Sequence, residues 1–323
     1  MMMKTFHFLL YAIAYGFWYL MSLLPFRIHY FFSDIMYLIL VYIIRYRRKL
    51  VRNNLKTSFP EKSDEEIKVL QKQFYHYFCD YLVETIKLMT ISKEQLTQRM
   101  TFTGHEEINK ALLSGRSIAI FLGHYGNWEW ITSFPLWLSC DAFCCQLYHP
   151  LANEYFDKLF KYVRERQHAL CVPKNDALRW MVRLREEKRV AAVGYIADQV
   201  PKWNSIHHWV DFLHHDTPVF TGSEKLVRHN NQVVFYGDIT RISRGYYNCE
   251  MRMIADNPRE MEEFAITDIY FRELEKTILR DPACYLWSHN RWKRTHAEFN
   301  KRYRYVNGKV VAKESSADDK KPS

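Results

Sequence analysis

The sequence predicts an α/β fold: a mixed, mostly parallel central sheet flanked by helices, carrying an N-terminal transmembrane helix. Three observations carry that prediction. Short apolar runs alternate with helical segments along most of the 323 residues, the pattern of parallel strands linked by helical crossovers. From Thr5 to Phe26 there is no Asp, Glu, Lys or Arg. One apolar run, 117–122, empties into Gly123-His124-Tyr125-Gly126-Asn127-Trp128-Glu129, a glycine-flanked histidine with a carboxylate five positions later.

The first element is the anchor. Residues 5–24 form a 20-residue apolar stretch, and at about 1.5 Å per residue such a helix spans roughly 30 Å, the hydrocarbon thickness of a bilayer. It is too long for the apolar region of a cleaved signal, and no small-x-small site follows before Pro25. A second apolar run, 35–44, is shorter and preceded by Asp34, so it reads as an interfacial or core helix. Arg45, Arg47, Arg48, Lys49, Arg52 and Lys56 come next, while only Lys4 flanks the other side. Positive charge beside a span marks the cytoplasmic side, close to anionic headgroups. The expected organisation is a single-pass anchor with its basic segment over 1–50, a cytoplasmic catalytic domain over 51–308, and a polar, disordered tail over 309–323.

The main domain follows. Ser63-Asp64-Glu65-Glu66 is a helix start, and the segment through 91 reads as one long helix. Helices are expected over 106–113, 127–138, 154–167, 176–187, 220–230 and 259–280. Strands are expected over 117–122, 142–147, 169–172, 190–196, 233–239 and 247–254. The Arg244-Gly245-Tyr246 break looks like a hairpin, which makes one sheet edge antiparallel.

Composition narrows the partners. Lys and Arg outnumber Asp and Glu by 46 to 36, a net charge of +10; such a balance favours phosphate headgroups, an acidic carrier protein or nucleic acid. The seven cysteines show no CxxC spacing and mostly lie in apolar runs, as free buried thiols do. There is no GxSxG elbow and no GxGxxG or GxxxxGK[ST] loop. A covalent acyl-enzyme and a nucleotide cofactor are therefore not indicated, and no cofactor is expected. The His207-His208 and His214-His215-Asp216 doublets match no zinc spacing, and no metal site is assigned.

His124 and Glu129 can act together only if the histidine sits in the loop and the glutamate in the first turn after it, because five residues on one helix place two side chains about 140° apart. A histidine is a competent base near neutral pH, and a carboxylate on its other ring nitrogen fixes the tautomer. The rival reading is a core histidine. Arg164 and Arg166 close an amphipathic helix, either as solvated cations or as a clamp for phosphate or carboxylate. Asp198-Gln199 follows the run 190–196, at another strand's carboxyl end and facing the same crevice, or else is a solvated turn. Thr221-Gly222 opens a helix whose amides could receive an oxyanion, or Thr221 is simply its cap. The segment 285–293 mixes aromatics with bases; membrane-interface and acidic-carrier readings fit the anchor better than nucleic acid does.

The ordered set resembles the lipid A late acyltransferases, the lauroyl/myristoyl transferase family, over about residues 1–300. His124 to Glu129 is similar to that family's H-x4-D/E signature. Arg48 to Leu55 followed by Phe59-Pro60-Glu61, the Asn153 to Arg166 segment, Asp198-Gln199, Thr217 to Gly222 and Trp287 to Lys293 follow in the family's order. His149-Pro150 and His289-Asn290-Arg291 depart from its usual Arg-Pro and His-Arg-Arg. The resemblance implies a glycerolphosphate-acyltransferase-like fold at the bacterial inner membrane. It also implies transfer of a fatty acyl chain from acyl carrier protein, the co-substrate, onto a hydroxyl of a lipid A precursor. It further implies that His124 is the base and Glu129 holds its ring, with Asn127, Arg164, Arg166, Asp198, Gln199, Thr221 and Gly222 on the substrate side. Two alternatives stand beside it: the same chemistry on a lysophospholipid or amino-acid lipid, and a non-catalytic, membrane-tethered lipid- or nucleic-acid-binding protein.

Overall fold

The computed structural model describes residues 2–313, and the side chains of residues 2–9 lie outside the described set. Two helices open the chain, α1 (Met2–Leu23) and α2 (Phe26–Leu38), parted at Pro25, and α2 continues into a π-helical turn, Ile39–Ile43. Among the described residues, the run long and apolar enough to cross a membrane is Phe26–Ile43, at 18 residues; Leu10–Leu23 is shorter. This run takes in most of the segment 35–44 expected as an interfacial or core helix, and Arg27 and Asp34 interrupt its apolar sequence without interrupting the helix. The expected span 5–24 includes residues 5–9, whose side chains lie outside the described set. Ile13, Phe17, Leu20, Phe31, Leu38 and Ile43 point outward, while Phe26, Tyr37 and Val41 join the buried core.

Next come α3 (Arg48–Ser58) and the long α4 (Asp64–Lys87). The latter opens on the expected capping box: Glu66 N donates to Ser63 Oγ at 3.3 Å and Ser63 N donates to Glu66 Oε2 at 2.8 Å. Then follow α5 (Lys93–Arg99), β1 (Met100–Thr103), α6 (His105–Leu113) and β2 (Ile118–Leu122). The helix expected over 127–138 is a turn leading into a 3₁₀ segment, Trp130–Trp137. Pro135 inside it lacks an amide hydrogen and cannot extend an α-helical ladder, and the turn is closed by i→i+3 bonds such as Trp130 N to the Asn127 carbonyl at 3.2 Å. The chain continues through β3 (Phe143–Tyr148), α7 (Glu154–Glu165), β4 (Ala169–Pro173), α8 (Ala177–Glu186) and β5 (Ala191–Ile196). A small hairpin, β6 (Trp209–Phe212) with β7 (His215–Pro218), follows His207-His208, carries His214-His215 at its turn and leads to α9 (Gly222–Asn230).

The last part comprises β8 (Val233–Ser243), β9 (Tyr246–Ala255), α10 (Ala265–Arg280), α11 (His296–Arg302), β10 (Tyr303–Val306) and β11 (Lys309–Ala312). Because β10 and β11 pair antiparallel, residues 309–312 are a strand and not part of a disordered tail; residues 314–323 lie outside the described residues.

The main sheet has seven strands in the order β1-β9-β8-β2-β5-β3-β4. From β8 to β4 the pairings are parallel, and β9 turns back antiparallel to β8 at Gly245, whose φ is +76°. The edge on that side is β1, parallel to β9 and not expected from the sequence. All five residues of β2 are buried, which is why it reads as an uninterrupted apolar run and not as an alternating one.

Candidate active site

Strands β2 and β5 are parallel neighbours, with Leu122 in register with Ile196. His124 and Asp198 each lie two residues beyond that matched pair, so the sheet delivers both to the same point at its carboxyl edge. There the Asp198 carboxylate accepts twice from His124: Nδ1 to Oδ1 at 2.5 Å and backbone N to Oδ2 at 2.8 Å. With Nδ1 donating, Nε2 carries the lone pair, and the Gln199 side-chain amide donates to it at 3.2 Å. The His124 side chain keeps 19% of its accessible surface while Asp198 keeps 2%; one is reachable by a substrate and the other is sealed behind it.

The histidine loop is fixed from the other side by the segment after α10. Leu286 N donates to the His124 carbonyl at 3.1 Å, Gly126 N donates to the Cys284 carbonyl at 3.0 Å, and Tyr125 bridges Tyr285. Burial pushes the Asp198 carboxyl up, but the His124 charge, its two hydrogen bonds and the Arg291 guanidinium outweigh it and hold the group below the usual carboxylate range. His289, half-buried here, is pushed down to about 4 by desolvation against a weaker opposing pull from Asp198. It stays neutral near pH 7, its Nε2 accepting from Val200 N at 3.4 Å.

Glu129 does not hold the His124 ring. Its carboxylate is gripped in a fork by Arg164, Nε to Oε2 at 2.8 Å and Nη2 to Oε1 at 2.6 Å, and the ring's carboxylate partner is Asp198. The expectation fails because residues 127–129 turn away from the strand axis, taking Glu129 toward α7. Arg164 is thereby occupied by a protein carboxylate and not by a ligand anion. Desolvation disfavours its charge, but Glu129 more than compensates and its pKa is raised.

The other expected residues divide. Asn127 is fully buried and donates to Glu84 Oε2 at 2.7 Å, which ties the histidine loop to α4. Arg166, just past α7, is exposed. Thr221 and Gly222 open α9, where Thr221 lines a separate cavity of about 350 Å³ with Glu224, Arg228 and Phe264; no described hydrogen bond joins either to His124. Among the described residues no group of three or more His, Cys, Asp or Glu is placed to hold a metal. Sequence reasoning missed Glu84, while Tyr285 and His289 belong to the aromatic and basic stripe 285–293, which it read as a membrane or carrier surface and not as part of the histidine site. Glu84 lies on the buried side of α4, where Tyr30 Oη donates to it at 3.0 Å and Tyr247 Oη at 2.9 Å, and a helical-face plot of α4 places it beside Tyr77 and Tyr81 (positions i and i+3 or i+7). Tyr285 is buried, and desolvation with the neighbouring Asp198 charge raises its hydroxyl pKa well above the ordinary value.

Fold and site together define an α/β protein in which a histidine and a buried aspartate, delivered by adjacent parallel strands, meet at the sheet's carboxyl edge. The chain belongs to the bacterial lipid A biosynthesis acyltransferase family, whose model matches residues 2–294. No match was found among curated proteins. The family match runs from α1 to the segment that pins the histidine loop and stops before the β10–β11 hairpin.

Proposed function

We propose that the chain moves a fatty acyl group from the thioester of an acyl carrier protein to a hydroxyl of a lipid A precursor, with His124 as general base. The observation that carries this reading is the His124–Asp198 pair, which leaves a lone pair on Nε2 at a partly exposed edge. The acceptor hydroxyl takes the position of the Gln199 amide against Nε2. As its oxygen attacks the thioester carbonyl, Nε2 removes the proton, and the Asp198 carboxylate stabilises the imidazolium that forms. The tetrahedral intermediate then expels the carrier's thiolate, which takes the proton from Nε2, leaving an ester and a free thiol.

In this reading Glu129 and Arg164 act by position: the fork ties the loop that follows His124 to α7. The net charge of +10 suits an acidic carrier and an anionic lipid, and the apolar N-terminal helices hold the site at the cytoplasmic face of the inner membrane. The test is twofold. Purified protein is assayed with acyl carrier protein thioester and lipid A precursor, and lipid A from a strain lacking the gene is weighed by mass spectrometry. Transfer that vanishes in His124→Ala, with the missing acyl chain in the strain, supports the reading. Unchanged lipid A together with turnover on a lysophospholipid replaces the acceptor; His124→Ala with full activity overturns the mechanism.

A further inference from the structure

We propose that a basic cavity at the start of α3 seats a phosphate monoester carried on a lipid headgroup. The proposal rests on the acyl-transfer reading only for which lipid brings that phosphate. The cavity, of about 640 Å³, lies directly after the apolar run Phe26–Ile43 and is lined by Arg45, Arg47, Arg48, Lys49 and Arg52, with Leu50 and Gln71 completing it. None of its lining residues is acidic. Among the five cations the described ion pairs include only Arg52, with Asp64 at 3.4 Å, and the side chains of Arg45 and Lys49 have no described protein partner.

Arg45, Arg47, Arg48 and Lys49 are exposed, so the groove is open to a ligand and its like charges are gathered without a buried counter-ion. Helices ordinarily carry acidic residues in the first turn, as α4 does with Asp64, Glu65 and Glu66. Helix α3 does the reverse: Arg48 and Lys49 stand in its first turn, no acidic residue does, and its N-cap Arg47 offers no side-chain acceptor. Positive helix end and positive side chains repel one another, and a phosphate relieves both. The backbone also bends to gather these groups: Arg45 and Arg47 are left-handed at φ +54° and +47°, a region that glycine or asparagine enters more cheaply than arginine.

The cavity is tied to the histidine loop. Arg47 Nη1 donates to the Ser288 carbonyl at 2.7 Å, and Asn54 Nδ2 donates to the carbonyls of Trp287 and His289 at 2.9 and 3.0 Å. Two residues before Ser288, Leu286 N holds the His124 carbonyl at 3.1 Å. An anion in the cavity is therefore a short chain of contacts from the base, at the end of the membrane-facing helices.

The experiment compares the full chain with Arg45→Gln/Lys49→Gln, and with Arg185→Gln/Lys188→Gln, which removes the same charge from α8 and its exposed end. Thermal unfolding is measured in neutral detergent with and without phosphatidic acid as the probe. Kinetics are measured in neutral detergent on the phosphorylated acceptor and on its dephosphorylated form. We expect phosphatidic acid to raise the Tm of wild type and of the α8 variant but not of the cavity variant. If the acceptor supplies the phosphate, the cavity variant also shows a rise of about tenfold in KM for the phosphorylated acceptor alone, with kcat kept. If only the Tm difference appears, a neighbouring lipid supplies it. Equal behaviour of the cavity and α8 variants in both measurements overturns the proposal. The unfolding arm needs no turnover, so a failure of the acyl-transfer reading leaves it decisive.

Discussion

The carboxylate of Glu129 lies in the fork of Arg164, both N–H···O contacts at 2.8 Å or less, while His124, five residues upstream, takes its carboxylate from Asp198 across two strands. The two acids therefore have different partners: Asp198 accepts from the histidine ring, and Glu129 ties the chain that leaves the histidine to α7.

Asp198→Asn separates the first role from binding. The asparagine presents an amide hydrogen or a weaker acceptor to Nδ1, so the tautomer with a free Nε2 lone pair is no longer favoured and the imidazolium loses its counter-charge. We expect kcat to fall by about 10³–10⁴-fold with KM for the lipid acceptor changed little, as when a carboxylate is neutralised behind a general-base histidine. Steady-state kinetics on the purified variant check it; a kcat within tenfold of wild type returns the ring-holding role to another group.

Glu129→Gln tests the second role. Removing one charge strands the Arg164 guanidinium, whose side chain keeps 24% of its surface against 7% for Glu129. A buried pair broken on one side costs about 3–5 kcal/mol, at the lower end here because Arg164 still reaches solvent. Glu129→Gln/Arg164→Met, which removes both charges, is expected to recover much of that stability and little of the activity. A thermal-unfolding double-mutant cycle decides: additive losses mean the fork is not coupled.

The parts of the fold that were legible in the sequence were those in which one local rule sufficed. The run 118–122 reads as a buried strand because both of its faces are covered, and the capping box of α4 is a four-residue signature. The edge strand β1 and the 3₁₀ segment after His124 were not legible, since the first is four residues long and the second is apolar enough to pass for a helix although Pro135 lies inside it. The candidate site residues were nameable from the sequence, but their pairings were not. The structure groups His124 with Asp198 and Gln199, and Glu129 with Arg164, whereas the spacing of His124 and Glu129 suggested a pair that the turn at 126–129 separates. Which carboxylate meets the ring depends on the register of β2 with β5, a long-range property that no local pattern encodes.

Glu84 predicts an unusual pH dependence of stability. Burial, with a further push from Asp80, raises its carboxyl to about 7 from an ordinary 4.5, against the hydrogen bonds from Tyr247 and Asn127. The folded protein therefore binds a proton that the unfolded chain has already lost between pH 4.5 and 7, and stability falls as pH rises across that window. The charge costs on the order of 3 kcal/mol above it. In Glu84→Gln the amide oxygen can accept from Asn127 and Tyr247 while its nitrogen donates to a rotated Tyr30 hydroxyl. Thermal unfolding from pH 5 to 8 is expected to show a smaller pH slope in the variant and a higher Tm at pH 8; parallel curves would show that Glu84 does not titrate in this range.

Gly126 is the position at which the histidine loop can be broken without touching a titratable group. Its φ is +56°, and a Cβ there would sit 2.5 Å from Ile239 Cγ2, while its carbonyl accepts from Tyr77 Oη at 2.6 Å and its amide donates to Cys284 O at 3.0 Å. Gly126→Ala meets two penalties: about 1–2 kcal/mol for a left-handed alanine and a further 1–3 kcal/mol for overpacking against β8. The loop can relieve the clash only by shifting, and a shift moves His124 relative to Asp198, which is anchored on β5. Activity is therefore expected to fall by more than the stability loss alone explains, with kcat reduced by at least about tenfold under conditions where the variant is fully folded. Gly222→Ala is the matched comparison: nothing lies within 4 Å of its added Cβ and its φ is not left-handed, so its Tm should match or slightly exceed that of wild type. A folded Gly126→Ala enzyme with wild-type kcat would show that the loop's position is set by Tyr77 and the Cys284 segment alone.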